Sequence, residues 1–526
     1  MKRCILSFVI ATALPVLAQT GHDSLATLIQ KGDRKAALAM IRAGVDVNEA
    51  QPDGTRPIHW AVFKVDYELL DALIAKKAKA DVANEFGATP LAEAVKVADA
   101  RMVKTLLDAG AGVESANLDG ESALMLAIKT SDLPIVRMLI QAGANVNTVE
   151  KEQHQTPLMY AAAGKRNAGE MVKLLLSKGA DVKPRELAYD WPSHFSEEPR
   201  VQYHPFGGLT ALLYAARDGC YDCVEALMAA GADVNLPTPE GVTPLMIALD
   251  NDDNDIAKLL LDHGANPGAW DWYGRTALYI AVDRKDGGSS AGQVRIGVDA
   301  SHSVRSSAMD IIKALLAAGV DPSPELRMHR PTRGGYTGRF SDPLLDTGCT
   351  PLLRAVIGND MEVIQALLAK GASPNINAMG LTSFLVAAGA GGGGRGGAGG
   401  GANLALLDLL LEHGADVNAQ VTGTKTYSMR NARTPSTNEG MTALHVAAQA
   451  GRTDLVRYLL EKGANPEIAD ANGKKAIDLV GTPAAGTQSG GRGRAGAQGG
   501  AGDQGGAAAG GASEIRALLE NAASKK

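Results

Sequence analysis

Cys220 and Cys223, three positions apart, are the residues of this chain whose type and spacing most readily suggest chemistry. A Cys-x-x-Cys pair can close a local disulfide, exchange with other thiols, or supply half of a zinc site. The pair stands at the start of a helical run, and a helix N-terminus lowers the pKa of a nearby thiol. No His follows the second Cys, so the haem-attachment pattern is not met. Zinc would need a second Cys pair, and Cys349 stands alone in sequence. Parallel segments of the chain place Ile256 or Leu455 where Cys223 falls, a buried apolar position. A structural role therefore leads over redox catalysis, with a local disulfide open to it in an oxidising compartment.

Other reactive patterns are missing. His residues and carboxylates are scattered without metal-ligand spacing, and there is no His-Glu-x-x-His, nucleophile elbow or Walker loop. Asp252, Asp253 and Asp255 make an acidic helix start that the helix dipole alone accounts for. Gly-x-Gly-x-x-Gly occurs only in Gly/Ala/Arg runs with no strand before it, so a phosphate loop is not expected. No enzyme, cofactor or metal is expected; catalysis would require inserts to assemble an unfamiliar site. A formal charge of −6 argues against nucleic-acid binding, which calls for a basic domain or stripe.

Aromatic and Arg side chains, the types that dominate binding hot spots, are clustered instead. One insert, Lys183 to Gly207, holds Tyr189, Trp191, Phe195, Tyr203 and Phe206. A short loop carries Trp270, Trp272 and Tyr273. Another insert, Pro322 to Thr347, holds Arg327, Arg330, Arg333, Tyr336 and Arg339, and Ala419 to Glu439 holds Lys425, Tyr427, Arg430 and Arg433. For the first insert two readings stand: its rings pin the insert down, or they meet a partner. Trp270, Trp272 and Tyr273 read as partner contacts, because a short loop has little room to hide three rings.

These loops must be carried by something regular, and the regularity is a repeat of about 33 residues. Its punctuation is Gly-x-Thr-Pro/Ala-Leu, anchored at Pro57, Pro90, Ala123, Pro157, Ala211, Pro244, Ala277, Pro351, Ser383, Ala443 and Ala476. In Gly440 to Gly473, Ala443 opens a short helix with a narrow Ala face that ends at Gly451. Leu455, Val456, Leu459 and Leu460 then recur at helical spacing, and Gly463 closes the second helix. The closing Gly recurs at Gly44, Gly110, Gly143, Gly179, Gly231, Gly264, Gly319, Gly371 and Gly414; Lys77 replaces it once, which predicts a turn that is strained or differently closed. No such unit can bury its apolar face alone, so the units must stack.

The unit resembles the ankyrin repeat over nearly all of the chain. The resemblance implies an all-α ankyrin-repeat solenoid of about ten full repeats from about Thr55, with terminal caps, finger-loop insertions and Gly-rich linkers. The family's His after the Leu survives only as His59 and His445; Ala92, Met125, Met159, Leu213, Met246, Tyr279, Leu353 and Leu385 take its place, so apolar contacts should replace those bonds. Asp23 to Asn48 reads as a degenerate first unit. The resemblance also implies protein binding through fingers and inner helices. Candidate contacts are Trp270, Trp272, Tyr273, Trp191, Tyr203, Arg330, Arg333, Tyr336, Arg339, Tyr427 and Arg430.

Lys2 and Arg3 followed by apolar Ile5 to Leu14 and Pro15-Val16-Leu17-Ala18 have the layout of an export signal. The run is shorter than the ~20 apolar residues of a membrane span. The expected organisation is a signal peptide at 1–18, a solenoid at 19–482, a Gly-rich disordered segment at 483–512 and a capping helix at 513–526. Insertions between the two helices of a repeat are expected around Asp286 to Ser303 and at Gly389 to Ala402, the latter a Gly-rich disordered linker. The expected product is a monomeric scaffold in the periplasm or outside the cell, without a membrane span, binding a protein partner. The alternatives are a secreted effector acting on a host protein and a redox or hydrolytic accessory using Cys220/Cys223 or the inserts.

Overall fold

Thr89 and Pro90 show how a repeat begins. The Thr89 hydroxyl accepts from the Ala92 N–H at 3.1 Å, and Pro90 takes the first helical position, where no N–H is required. The same hydroxyl cap recurs at Thr156, Thr243 and Thr350. After a tight turn the second helix starts on an Asp. Asp99 accepts from the Met102 N–H at 2.9 Å, and the helix buries Met102, Val103 and Leu106 on one face. Burial of three such side chains stabilises the unit by roughly 1.5–3 kcal/mol each. Gly110 ends the helix at φ 85°, its N–H reaching the Leu107 carbonyl at 3.0 Å. Lys77 adopts the same left-handed turn at φ 63°, the strain predicted for a side chain there.

A computed structural model describes residues 23–189, 206–285, 306–327, 348–378, 380–390, 403–422, 438–482 and 505–525. The chain forms two compact units, Met1–Glu152 and Gln153–Lys526. In the first, the helices pair as α1 (Leu25–Lys31) with α2 (Arg34–Arg42), α3 (Pro57–Phe63) with α4 (Tyr67–Ala75), α5 (Pro90–Lys96) with α6 (Ala100–Asp108), and α7 (Ala123–Lys129) with α8 (Leu133–Gln141). First helices touch first helices along one side (α1, α3, α5, α7), and on the other α2 touches α4 and α6 touches α8.

The second unit continues the pairing with α9 (Pro157–Ala162) and α10 (Ala168–Ser177), then a short β1 (Ala188–Tyr189) and β2 (Phe206–Gly207). It goes on through α11 (Ala211–Asp218) and α12 (Tyr221–Ala229), α13 (Pro244–Asp250) and α14 (Asn254–Asp262), α15 (Ala277–Lys285) and α16 (Ala308–Ala317). Then come α17 (Pro351–Gly358) and α18 (Met361–Ala369), α19 (Ser383–Ala387) and α20 (Leu404–Glu412), and α21 (Ala443–Gln449) and α22 (Thr453–Glu461). A 3-10 turn, Ala476–Leu479, packs on α21, and α23 (Gly505–Ala523) packs on α22. The architecture is the all-α repeat stack expected.

Two kinds of tie join neighbouring repeats. His59 Nε2 meets the Ala88 carbonyl at 3.1 Å and His445 Nε2 meets that of Lys474 at 3.1 Å. Elsewhere the eight replacements for this His, from Ala92 to Leu385, are all buried, so apolar contact does take over. Inside the second unit, Arg354 Nε donates to Asp283 Oδ1 at 2.7 Å with both side chains buried.

Several expectations need correction. Asp23 to Asn48 is less degenerate than its sequence, since α1 and α2 are both complete. The closing helix starts at Gly505 instead of Ser513, because the alanines before Ser513 favour helix. The insert after Lys183 is closed at its base by an antiparallel pair, Ala188 opposite Gly207 and Tyr189 opposite Phe206. The acidic start of α14 is more than a dipole partner: Asp252 pairs with Arg284, and Asp255 accepts from the Ser306 N–H at 2.8 Å. The proposed signal at 1–18 and most of each Gly-rich stretch lie outside the described residues.

Candidate protein-contact surface

Fingers are the loops between one repeat's second helix and the next repeat's first, and backbone hydrogen bonds lock several of them to the finger before. In the first unit the Glu85 N–H donates to the Asp53 carbonyl and the Lys151 N–H to that of Asp119, both at 2.9 Å. In the second, Leu187 donates to Gln153 at 2.7 Å, Trp272 to Glu240 at 2.7 Å, Arg327 to Tyr273 at 2.9 Å and Ala471 to Glu439 at 2.9 Å. Each bond fixes a finger tip on the tip before it.

The finger from Trp270 to Arg275 is tied from within by a buried carboxylate. Asp271 is fully buried; its Oδ1 accepts from the N–H groups of Tyr273 at 3.0 Å and Arg275 at 2.8 Å. Its Oδ2 receives Arg275 Nε at 2.6 Å, while Arg275 Nη1 reaches Asp250 at 3.1 Å. Burial alone would lower the Arg275 pKa, but the Asp250 and Asp271 carboxylates outweigh it and hold the guanidinium charged. A buried cation between two carboxylates with its hydrogen bonds made is the form in which such charge is tolerated.

The three rings of this finger divide between solvent and core. Trp270 is 52 % exposed and Trp272 42 %, large apolar surfaces held in water. The Arg327 guanidinium lies 3.7 Å from the Trp270 ring centroid, a cation–π contact that stiffens the indole. Tyr273 is the correction: at 5 % exposure it is part of the core, and burial, followed by the Glu240 charge, pushes its hydroxyl pKa up. The short loop hides one ring: Tyr273 is buried while Trp270 and Trp272 stay exposed.

The structure resolves one part of the question raised by the first insert. Tyr189 and Phe206 stack on each other at 5.1 Å between centroids, and both stay partly exposed. Deeper, Glu186 accepts from the Tyr214 hydroxyl, with Gln155 donating to the same oxygen. Burial is the main cause of the raised Tyr214 pKa, and Glu186 adds to it. Trp191, Tyr203, Arg330, Arg333, Tyr336, Arg339, Tyr427 and Arg430 lie outside the described residues.

Sequence reasoning passed over a second set of tips, in the first unit: Phe86 and Leu118, both 63 % exposed, and Val149. A signal was present. Phe86 occupies the finger position held by Asp53, Asp119, Glu240 and Glu439 in other copies. Gly87 has φ 69°, and a Cβ there would come within 2.9 Å of the Leu118 backbone N, so the two tips are in contact.

Cys220 and Cys223 are joined as a disulfide, with Cys223 buried; Cys349 is a buried thiol whose sulfur accepts from the Tyr279 hydroxyl at 3.7 Å. Among the described residues no group of three or more His, Cys, Asp or Glu is placed to hold a metal ion. Nor, among them, is any helix long and apolar enough to cross a membrane.

The model for ankyrin repeats in three copies matches residues 24–117, 92–186 and 212–289, and the single ankyrin repeat model matches 347–378 and 439–471. These matches cover more than half of the chain, which belongs to the ankyrin-repeat family. It is similar to the B-cell lymphoma 3 protein homolog of Mus musculus, 30% identical over 155 residues, 26% of this chain and 34% of that one. It is also similar to the mitochondrial disaggregase of Homo sapiens, 32% over 179 residues, 33% of this chain and 23% of that one. The putative palmitoyltransferase ZDHHC13 of Danio rerio is 27% identical over 293 residues, 55% of this chain and 35% of that one. The chain thus spans about a third or less of the length of these relatives.

Proposed function

We propose that this chain is a non-catalytic protein-binding scaffold, exported to the periplasm or beyond the cell, that captures a protein partner with its finger tips. The observation that carries the reading is the finger of Trp270 and Trp272. Two indoles stand in water on a loop locked by the Asp250–Arg275–Asp271 network, in which Arg275 and Asp271 are buried. Exposed aromatics on a preorganised loop offer contact area at little entropic cost on binding. The partner would meet them with small backbone adjustments.

Export is supported by the basic start at Lys2 and Arg3, the apolar stretch Ile5 to Leu14 and the small residues around Ala18. The disulfide of Cys220 and Cys223 fits an oxidising compartment. Membership of the ankyrin-repeat family supports binding in place of catalysis; the different activities named for the relatives stay with those proteins. Fractionation tests the location: the full chain expressed in a Gram-negative cell should appear outside the cytoplasm, shortened by the first 18 residues. A full-length cytoplasmic product would overturn it. Binding is tested by comparing partner capture by the wild type with capture by Trp270→Ala/Trp272→Ala, and equal capture would remove the finger from the account.

A further inference from the structure

Many second helices in this chain start with a tie between the capping residue and the residue three positions on, whereas the capping residues of α10, α14 and α22 make no such side-chain bond. Asp33 accepts from the Ala36 N–H at 3.0 Å, Asp66 from Leu69 at 3.0 Å, Asp99 from Met102 at 2.9 Å and Asp132 from Ile135 at 2.9 Å. Asp360 accepts from Val363 at 3.2 Å and Asn403 from Leu406 at 3.2 Å. At α12 the same two positions are Cys220 and Cys223, and the tie is a covalent bond with a Cα–Cα distance of 5.2 Å. The Cys220 side chain makes no capping hydrogen bond.

What this tie holds is a close helix contact. A Cβ at Gly169 in α10 would fall 2.9 Å from the Asp222 Cβ, so the first turn of α12 presses on α10 where no side chain intervenes. The two sulfurs differ in access: Cys223 is buried and Cys220 is partly exposed.

We propose that the Cys220–Cys223 disulfide is a reducible clasp, a thiol-exchange site that sets how firmly the start of α12 is held against α10. The co-reactant is a dithiol reductant. One of its thiolates attacks Cys220 Sγ, the more accessible sulfur; the S–S bond breaks and Cys223 leaves as a thiolate. The second thiol of the reductant attacks the mixed disulfide and frees Cys220. Two electrons pass to the protein, the two cysteine thiolates take up the two protons, and the reductant departs as a disulfide. Reduction leaves α12 without either form of tie, and its first turn loosens.

Amide hydrogen exchange of the full chain, equilibrated in oxidised or in reduced dithiothreitol, tests this. The expected result is exchange about five-fold faster on reduction in the Tyr221 to Val224 turn and the facing start of α10, the factor a helix cap typically supplies. Cys220→Asp/Cys223→Val, which installs the Asp tie of the other repeats, should exchange slowly and equally under both conditions. Equal exchange of the oxidised and reduced wild type would overturn the proposal. So would failure of dithiothreitol to release the two thiols from the folded protein, read by alkylation and mass analysis of the Cys220–Cys223 peptide.

Discussion

The backbone N–H of Trp272 donates to the carbonyl of Glu240, 2.7 Å away on the preceding finger. The residue is therefore anchored through its main chain while its indole contributes little to the core. Trp270→Ala/Trp272→Ala should leave unfolding free energy within about 0.5 kcal/mol of the wild type, as for surface positions. Urea denaturation checks this, and a larger loss would mean that the rings serve folding.

Arg275 behaves in the opposite way. Its replacement by Met strands the buried Asp271 and removes the cation shared with Asp250. The expected cost is roughly 3–5 kcal/mol. In the same denaturation experiment Arg275→Met/Asp271→Leu should recover part of that loss, because no unpaired charge is left buried.

Strain in the first unit should be removable. Val65 adopts φ 55° and Lys77 φ 63°, a region that β-branched and other L side chains occupy at a cost. Val65 is exposed, so Val65→Gly sacrifices little packing. Val65→Gly/Lys77→Gly should raise stability by about 1–2 kcal/mol, seen as a higher melting temperature.

The two inter-repeat histidines give the protein a pH response. Burial lowers the pKa of His59 and His445 below 6.5, outweighing the bonds to the Ala88 and Lys474 carbonyls. Above that value both states hold neutral imidazole. As pH falls through it, the unfolded chain binds protons that the native chain resists, so stability drops. His445→Leu, matching Leu213, Leu353 and Leu385, should lose less stability than the wild type between about pH 7.5 and about pH 5.5. Identical slopes would contradict a buried neutral His445.

Much of the fold was legible because its determinants are local. A Thr-Pro helix start, an Asp cap and a closing Gly each act within four residues, and their recurrence exposes the stack. Lys77 was readable as strained because one position in the repeat demands a left-handed backbone. Tyr273 was not readable as core, because its place in the repeat does not settle burial: Phe86, at the same position after the same kind of turn, is 63 % exposed. Arg327 was visible only as one of a basic cluster. Its place over Trp270 comes from the bond between its N–H and the Tyr273 carbonyl, across 54 residues of chain. The Cys220–Cys223 link was foreseen as an option, but its equivalence to the Asp cap emerges only when helix starts are compared.

The central claim is that the Trp270–Trp272 finger meets a partner. A photo-reactive amino acid placed at 270 or 272, and as a control at exposed Lys313 on α16, tests it most directly in the native compartment. The account predicts a discrete cross-linked protein from the finger positions and none from 313. Absence of adducts at the finger, or equal adducts at all three positions, would contradict it.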